Sequence, residues 1–448
     1  MLKKENNTLK IIFYAAVLGL WALGPFKKSP PAFAQNPPEV LPLTLGKAVD
    51  MALQASEALK IESNTVEKRR SETQEGKAFL FPRISGGIDW SNNFAYPDIA
   101  STSATQDYHL DAGISVSQTL MTFGRLSNEI KAARKALEAS EFDRQTKTQE
   151  IIYNTKIAFY NAYLAQRTLE IAEESYQNAV QNKEILEERA AGGRAAKYDN
   201  IKIASDIASR KPLVNNARAD FLSALETLKV FIGVGAKTQI NLQADIDTMY
   251  PDVERKDLAW ALYQNQPAIK ALQKNIEEKQ AVIQSRRGSL FPQISAFATW
   301  NYKGDGEDYY VGQSHLDHYG VAGLKVDVPI WQGGISREKL YQAKLDQHNA
   351  ELKFQAGKED YLLMLDKAIN RYKEYKKTLK ANEEALRLAK ESFQYSQELF
   401  GAGQISVADL NDAELQLTNA KINQEVTILN LNTTLAVIQR LTLGGGAR

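Results

Sequence analysis

The sequence predicts an α+β fold made of two copies of one unit, each copy pairing two membrane-length β-strands with a long helical hairpin. Three observations carry this. A phrase and its surroundings recur at a fixed offset, four segments alternate apolar and polar residues, and two stretches of more than sixty residues run almost free of helix breakers.

The phrase is "LFPRIS" at residues 80–85, which returns as "LFPQIS" at 290–295, 210 residues later. At the same offset Trp90 matches Trp300, Gly113 matches Gly323, Gly124 matches Gly334, Gly193 matches Gly403 and Asp199 matches Asp409. An offset held over so long a span marks two copies of one architectural unit. We place the first repeat at 35–233, a connecting equatorial segment at 234–256 and the second repeat at 257–444.

Before the first repeat, residues 1–34 read as a secretory signal. Lys3, Lys4 and Lys10 precede the apolar run at 11–24, and "AFA" at 32–34 places cleavage after Ala34. That run is too short for a comfortable membrane helix. The chain has no cysteine, so it carries neither a disulfide framework nor a thiol for lipid attachment. Loss of the signal removes five Lys and one Glu, taking the net charge from +1 to −3. So neutral a chain does not offer a nucleic-acid surface.

Each repeat then opens with a helix, at 44–79 and 256–289, that stops at "LFP". Pro82 and Pro292 are the helix-strand joints, because proline lacks an N–H, disfavours helix at the residue before it and suits the first residue of a strand. Beyond Pro82, Ile84, Ile88 and Trp90 alternate with Ser85, Asp89 and Ser91. Strands are expected at about 83–96, 108–120, 293–302 and 319–330, each long enough to cross a bilayer at a tilt. Aromatic residues near their ends, such as Phe81, Tyr108, Phe291 and Trp331, suit interfacial girdles. Four strands cannot close a barrel, since bacterial barrels need at least about eight. Some oligomer is therefore required.

Next come the helical hairpins, at about 125–232 and 335–443, with tips at 190–199 and 400–412. The outgoing arm 125–191 contains neither Gly nor Pro and would span about 100 Å. Its apolar stripes, one through Ile151, Thr155, Ala158 and Ala162 and another through Ile157, Leu164 and Ile171, call for helical neighbours on two sides. The return arms are about 40 Å shorter than the outgoing ones. The gap closes if the pre-strand helices stack on them, and Pro212 is expected to kink the first return arm.

This order resembles the TolC-like outer membrane efflux proteins. The matching residues are the two "LFP" phrases, "VPIWQGG" at 328–334 and the two glycine turns followed by aspartate. The resemblance covers the whole chain after residue 34. It implies a homotrimer whose four strands per chain form a twelve-stranded β-barrel in the outer membrane of a Gram-negative bacterium, continuous with a long α-helical periplasmic barrel. It also implies a periplasmic adaptor (membrane fusion) protein and an inner-membrane pump or ABC transporter as partners. Asp199, Asp409, Asp412 and Phe400 are implied at the periplasmic constriction. Gly192, Gly193, Arg194, Ala402, Gly403 and Gln404 are implied at the adaptor-docking tips. Where such gates carry an arginine two residues after the turn glycine, this chain has Ile405, so a latch of that kind is missing its arginine.

Function follows as a passive exit duct of a tripartite efflux pump or type I secretion system. The alternative is a soluble periplasmic coiled-coil scaffold or adaptor without a barrel. No catalytic constellation, metal site or cofactor is expected. "GVGAKT" at 233–238 follows a helix and lacks phosphate-loop spacing. The His315 and His318 pair lacks a carboxylate cluster to complete a metal site.

Overall fold

The computed structural model describes residues 40–92, 108–191, 197–243, 250–306 and 316–443. The signal segment, the outer strand loops and the first hairpin turn, with Gly192, Gly193 and Arg194, lie outside the described residues.

The order helix pair, strand pair, long hairpin occurs twice. Strand β1 (Val40–Leu43) leads into helices α1 (Leu45–Ala55) and α2 (Glu57–Ala78), then β2 (Arg83–Asn92), β3 (Tyr108–Met121), α3 (Arg125–Ala191) and α4 (Lys197–Ile232). Strand β4 (Gln239–Leu242) follows, then α5 (Arg255–Asn265), α6 (Pro267–Gly288), β5 (Gln293–Gly306), β6 (Leu316–Asp327), α7 (Ile335–Ala402) and α8 (Val407–Thr442).

Each expected pre-strand helix is in fact two. Ser56 ends α1 and starts α2, its hydroxyl accepting the Leu59 N–H at 3.2 Å. In the second half of the chain Pro267 occupies the first turn of α6, where its missing N–H costs nothing. Helix α4, by contrast, runs unbroken past Pro212. The last strand ends at Asp327, three residues short of expectation, because Pro329 cannot donate to the ladder.

Helices α2 and α6 pack along the sheet-proximal half of α3, while α4 and α8 pack along its far half. Helix α7 packs against α6 and α8. The expected stacking occurs at both joints. Gly233, just past α4, abuts Ala55 so closely that a Cβ would lie 2.3 Å from the alanine methyl. Asn265 at the end of α5 donates Nδ2 to the Thr442 carbonyl at the end of α8, at 3.0 Å.

Two apolar clusters form a waist at these joints. One joins Leu43, Ala52, Phe159, Ala162, Leu228 and Leu242; the other joins Leu262, Leu365, Tyr372 and Leu431. The parallel pairing of β1 with β4, which no alternation in these short segments foretold, seats the connector on the first cluster. Beyond it the connector reaches the second, where Tyr372 Oη donates to the Pro251 carbonyl at 2.8 Å.

Candidate functional site

The four long strands form one antiparallel sheet in the order β2-β3-β5-β6. Its register puts Ile84 beside Val116 and Ala298, and Gly86 beside Ile114 and Trp300. Leu324 lies beside Ala296, and Val326 beside Ile294. One face is therefore apolar across all four strands, and it is bare: Ile114 is 60% exposed and Leu324 69%. The opposite face is mostly polar, with Phe297, Tyr319 and Val321 as the exceptions. Asp89, Asp111, Lys303 and Asp317 lie at one level across it, and Ser85 and Ser115 share a hydrogen bond of 2.7 Å. The outer sides of β2 and β6 have no strand partner among the described residues. A sheet with one apolar face, one polar face and two open ladders suits a segment of a wall between lipid and water.

Pro82 and Pro292 stand where expected, between the helix ends at Ala78 and Gly288 and the strand starts at Arg83 and Gln293. Glycine at 288 is required by contact. A Cβ there would fall 2.5 Å from the Arg125 backbone nitrogen, where α6 crosses the start of α3. Arg125 Nη2 then donates to Gln293 Oε1 at 3.0 Å, tying the first hairpin to the second strand pair.

At the far end, α7 stops at Gly403, whose φ of +79° is the left-handed value that favours glycine. Its N–H donates to the Phe400 carbonyl and that of Gln404 to the Leu399 carbonyl, both at 2.9 Å. Ala402, Gly403 and Gln404 are exposed on the turn. Ser406 then caps α8 in a capping box with Asp409. The Asp409 carboxylate accepts the Ser406 hydroxyl at 2.7 Å and the Ser406 N–H at 3.1 Å. These two bonds, hydroxyl first, hold the Asp409 carboxyl below its usual range. Asp412 is exposed one turn on, and Asp199 sits half-buried in the first turn of α4.

Phe400 requires a correction. It is 1% exposed and belongs to the tip core with Leu186, Ile203, Phe393, Val407 and Leu410, so its ring anchors the hairpins to each other and does not line an opening. An arginine from the other hairpin holds Phe400 in place. Arg189 on α3 donates Nη1 to the Phe400 carbonyl at 3.0 Å and lies 4.9 Å from the centre of its ring. No motif marks Arg189, whose counterpart at the repeat offset is Leu399.

Between Arg189 and the waist, the seam joining the two hairpins is polar. Lys421 meets Glu174 at 2.6 Å, and Arg167 meets Glu425 at 3.0 Å. Arg210 on α4 lies 2.8 Å from Asp206 and 2.7 Å from Glu414 of α8. Glu414 is 1% exposed. Besides Arg210, Asn178 of α3 faces its carboxylate. Burial raises the Glu414 carboxyl above its usual value, and the charge of Arg210 offsets this only in part. Neither Arg210 nor Glu414 stands out in the sequence, because only packing makes them neighbours.

Among the described residues no cluster of potential metal ligands occurs, and no helix is long and apolar enough to cross a membrane. His318 stacks on Trp300 at 5.6 Å, while His315 lies outside the described residues. Residues 233–238 form the turn from α4 into β4, with the Thr238 N–H on the Gly235 carbonyl at 3.0 Å.

Residues 48–234 and 259–442 match the family model described as Outer membrane efflux protein. The chain is 21% identical over 404 residues to the cation efflux system protein CusC of Escherichia coli K12, covering 89% of this chain and 86% of that protein. It is 19% identical over 410 residues to the pyoverdine export outer membrane protein OpmQ of Pseudomonas putida, covering 90% and 86%. Among solved structures it is similar to the Campylobacter jejuni CmeC outer membrane channel, with a TM-score of 0.77 at 17% identity, covering 90% of this chain and 86% of that one.

Proposed function

Since this chain belongs to the outer membrane efflux protein family, we propose that it is one subunit of a passive exit duct serving a tripartite efflux pump or type I secretion system. It resides in the outer membrane, with its helical part on the periplasmic side. Three copies each contribute four strands to a twelve-stranded barrel, and their hairpins continue it as a periplasmic tunnel. The chain itself is a duplication of one strand-pair and hairpin unit.

The observation that carries this reading is the sheet. Its apolar face spans all four strands and is exposed, and both of its edges are open. Neighbouring copies satisfy the edges, and lipid covers the apolar face. A soluble scaffold would leave both in water. The polar face, with Asp89, Asp111, Lys303 and Asp317, becomes the water-filled lumen.

At the tip, Asp409 and Asp412 form two carboxylate rings at the periplasmic aperture, with Asp199 nearby on the first hairpin. Rings of this kind favour cations. The exposed turn at Ala402, Gly403 and Gln404, together with Gly192, Gly193 and Arg194, docks a periplasmic adaptor, which couples the duct to an inner-membrane pump or ABC transporter. CusC is named for cations and OpmQ for pyoverdine. Relatives with such different cargoes point to a duct whose cargo is chosen by its partners.

The test is purification from membranes followed by mass determination and planar-bilayer recording. The expected result is a detergent-dependent particle of three chains that conducts ions. A monomer that stays in solution without detergent would remove the duct.

A further inference from the structure

Glu414 is a buried acid outside the proposed aperture rings. It lies on α8, just beyond Asp412, and is 1% exposed. The charged groups facing it are Arg210 and Asp206, both on α4. Helix α3 presents Asn178, and α7 contributes apolar Leu386, Ala389 and Phe393 to the surrounding tip core. One arginine thus serves two carboxylates.

The seam around it is also short of hydrogen bonds. Asn182 of α3 is 1% exposed, and neither its Oδ1 nor its Nδ2 has a partner. Buried polar groups left unpaired favour any arrangement that returns them to water. This seam joins hairpin α3–α4 to hairpin α7–α8, the two bodies whose separation would widen the tip.

We propose that the protonation state of Glu414 sets the resting position of the tip, with neutral Glu414 holding the two hairpins together and ionised Glu414 letting them part. The inference rests on the reading of this chain as a gated duct. When the seam opens, the carboxyl regains water and returns toward its ordinary value of 4.5, whereas the closed seam holds it higher because burial disfavours the charge. A group raised in the closed state stabilises that state at low pH, and the stabilisation is lost as pH rises through the closed-state value. The tip therefore closes in acid and loosens toward neutrality, in a window above pH 4.5.

The test compares wild type with Glu414→Gln in planar bilayers across pH 4.5–8. Wild type should show an open fraction that rises with pH, with a total change of about tenfold for each unit by which the closed seam displaces the carboxyl. Glu414→Gln should stay in the low-conductance state with a flat pH profile. A Glu414→Gln profile that follows wild type overturns the proposal.

A second readout is independent of conductance. The chain has no cysteine, so Gln181→Cys on α3 and Leu415→Cys on α8 accept spin labels without background. Their separation should lengthen with pH in the Glu414 chain and stay constant with Glu414→Gln; equal behaviour in both overturns the proposal. If labelled protein shows the pH-dependent separation but conducts no ions, the duct reading fails while the switch stands.

Discussion

Phe123 and Gly333 occupy the same step before the two long outgoing helices, and both have positive φ, 47° and 60°. The next residue is glycine in each case, Gly124 at +88° and Gly334 at +86°. The glycine pair seen in the repeat thus has a backbone cause: the chain turns from strand to helix through the left-handed region. Gly334→Ala should destabilise the protein by about 1–2 kcal/mol, the steric cost of a Cβ there, read as a lowered unfolding midpoint. Asp409 caps α8 in the structure and lines the aperture in the proposed duct, and substitution can separate the two. Asp409→Ala removes the cap and the charge, while Asp409→Asn removes the charge and keeps an acceptor for Ser406. Combined with Asp412→Ala, both should lower cation preference in bilayer recordings, but only the alanine form should also lower thermal stability. Unchanged selectivity in both would take these aspartates out of the aperture.

At the scale of elements, helix α3 meets α6 through an alternating charge cluster. Lys135 lies 2.9 Å from both Glu138 and Glu277, and Lys274 lies 3.0 and 3.1 Å from the same two carboxylates. Burial raises both carboxyls, but hydrogen bonds from Lys135 and Lys274 outweigh it and leave them below the ordinary 4.5. A depressed carboxyl contributes stability above its unfolded value and loses it as pH falls through the folded one. The unfolding midpoint should therefore drop below pH 4.5, and a Glu138→Gln, Glu277→Gln variant should flatten that acid limb. This runs opposite to Glu414, so acid loosens the sheet-proximal bundle while it closes the tip seam. In the sheet, Ile114 sits mid-strand on the bare apolar face. Ile114→Lys should cost about 2–4 kcal/mol at the bilayer midplane. The expected readout is reduced recovery in the membrane fraction, whereas Ser115→Lys, on the polar face, should insert normally.

For the whole molecule, the two halves of the chain are not independent domains. Strand β3 of the first pairs with β5 of the second, and α3 packs against α6 and α8. A chain cut within residues 244–249 should still assemble when both halves are made together. Either half alone should aggregate, because its open ladder and the exposed flank of its hairpin would lack partners. A soluble, folded single half would show that the shared seam is dispensable.

What was legible in the sequence was whatever depends on near neighbours along the chain. Period-two alternation located all four strands, and the scarcity of breakers gave the long arms to within a residue or two, as with α3 at Arg125–Ala191. The phrase "LFP" placed both joints. Tertiary structure alone decided what depends on residues far apart: the β1–β4 pairing, the burial of Phe400, the contact of Arg189 with Phe400, and the enclosure of Glu414 beside Arg210. Periodicity is a property of one segment, whereas register and burial arise from which segments meet, and a side chain's charge acquires its consequences only when packing has removed the water around it.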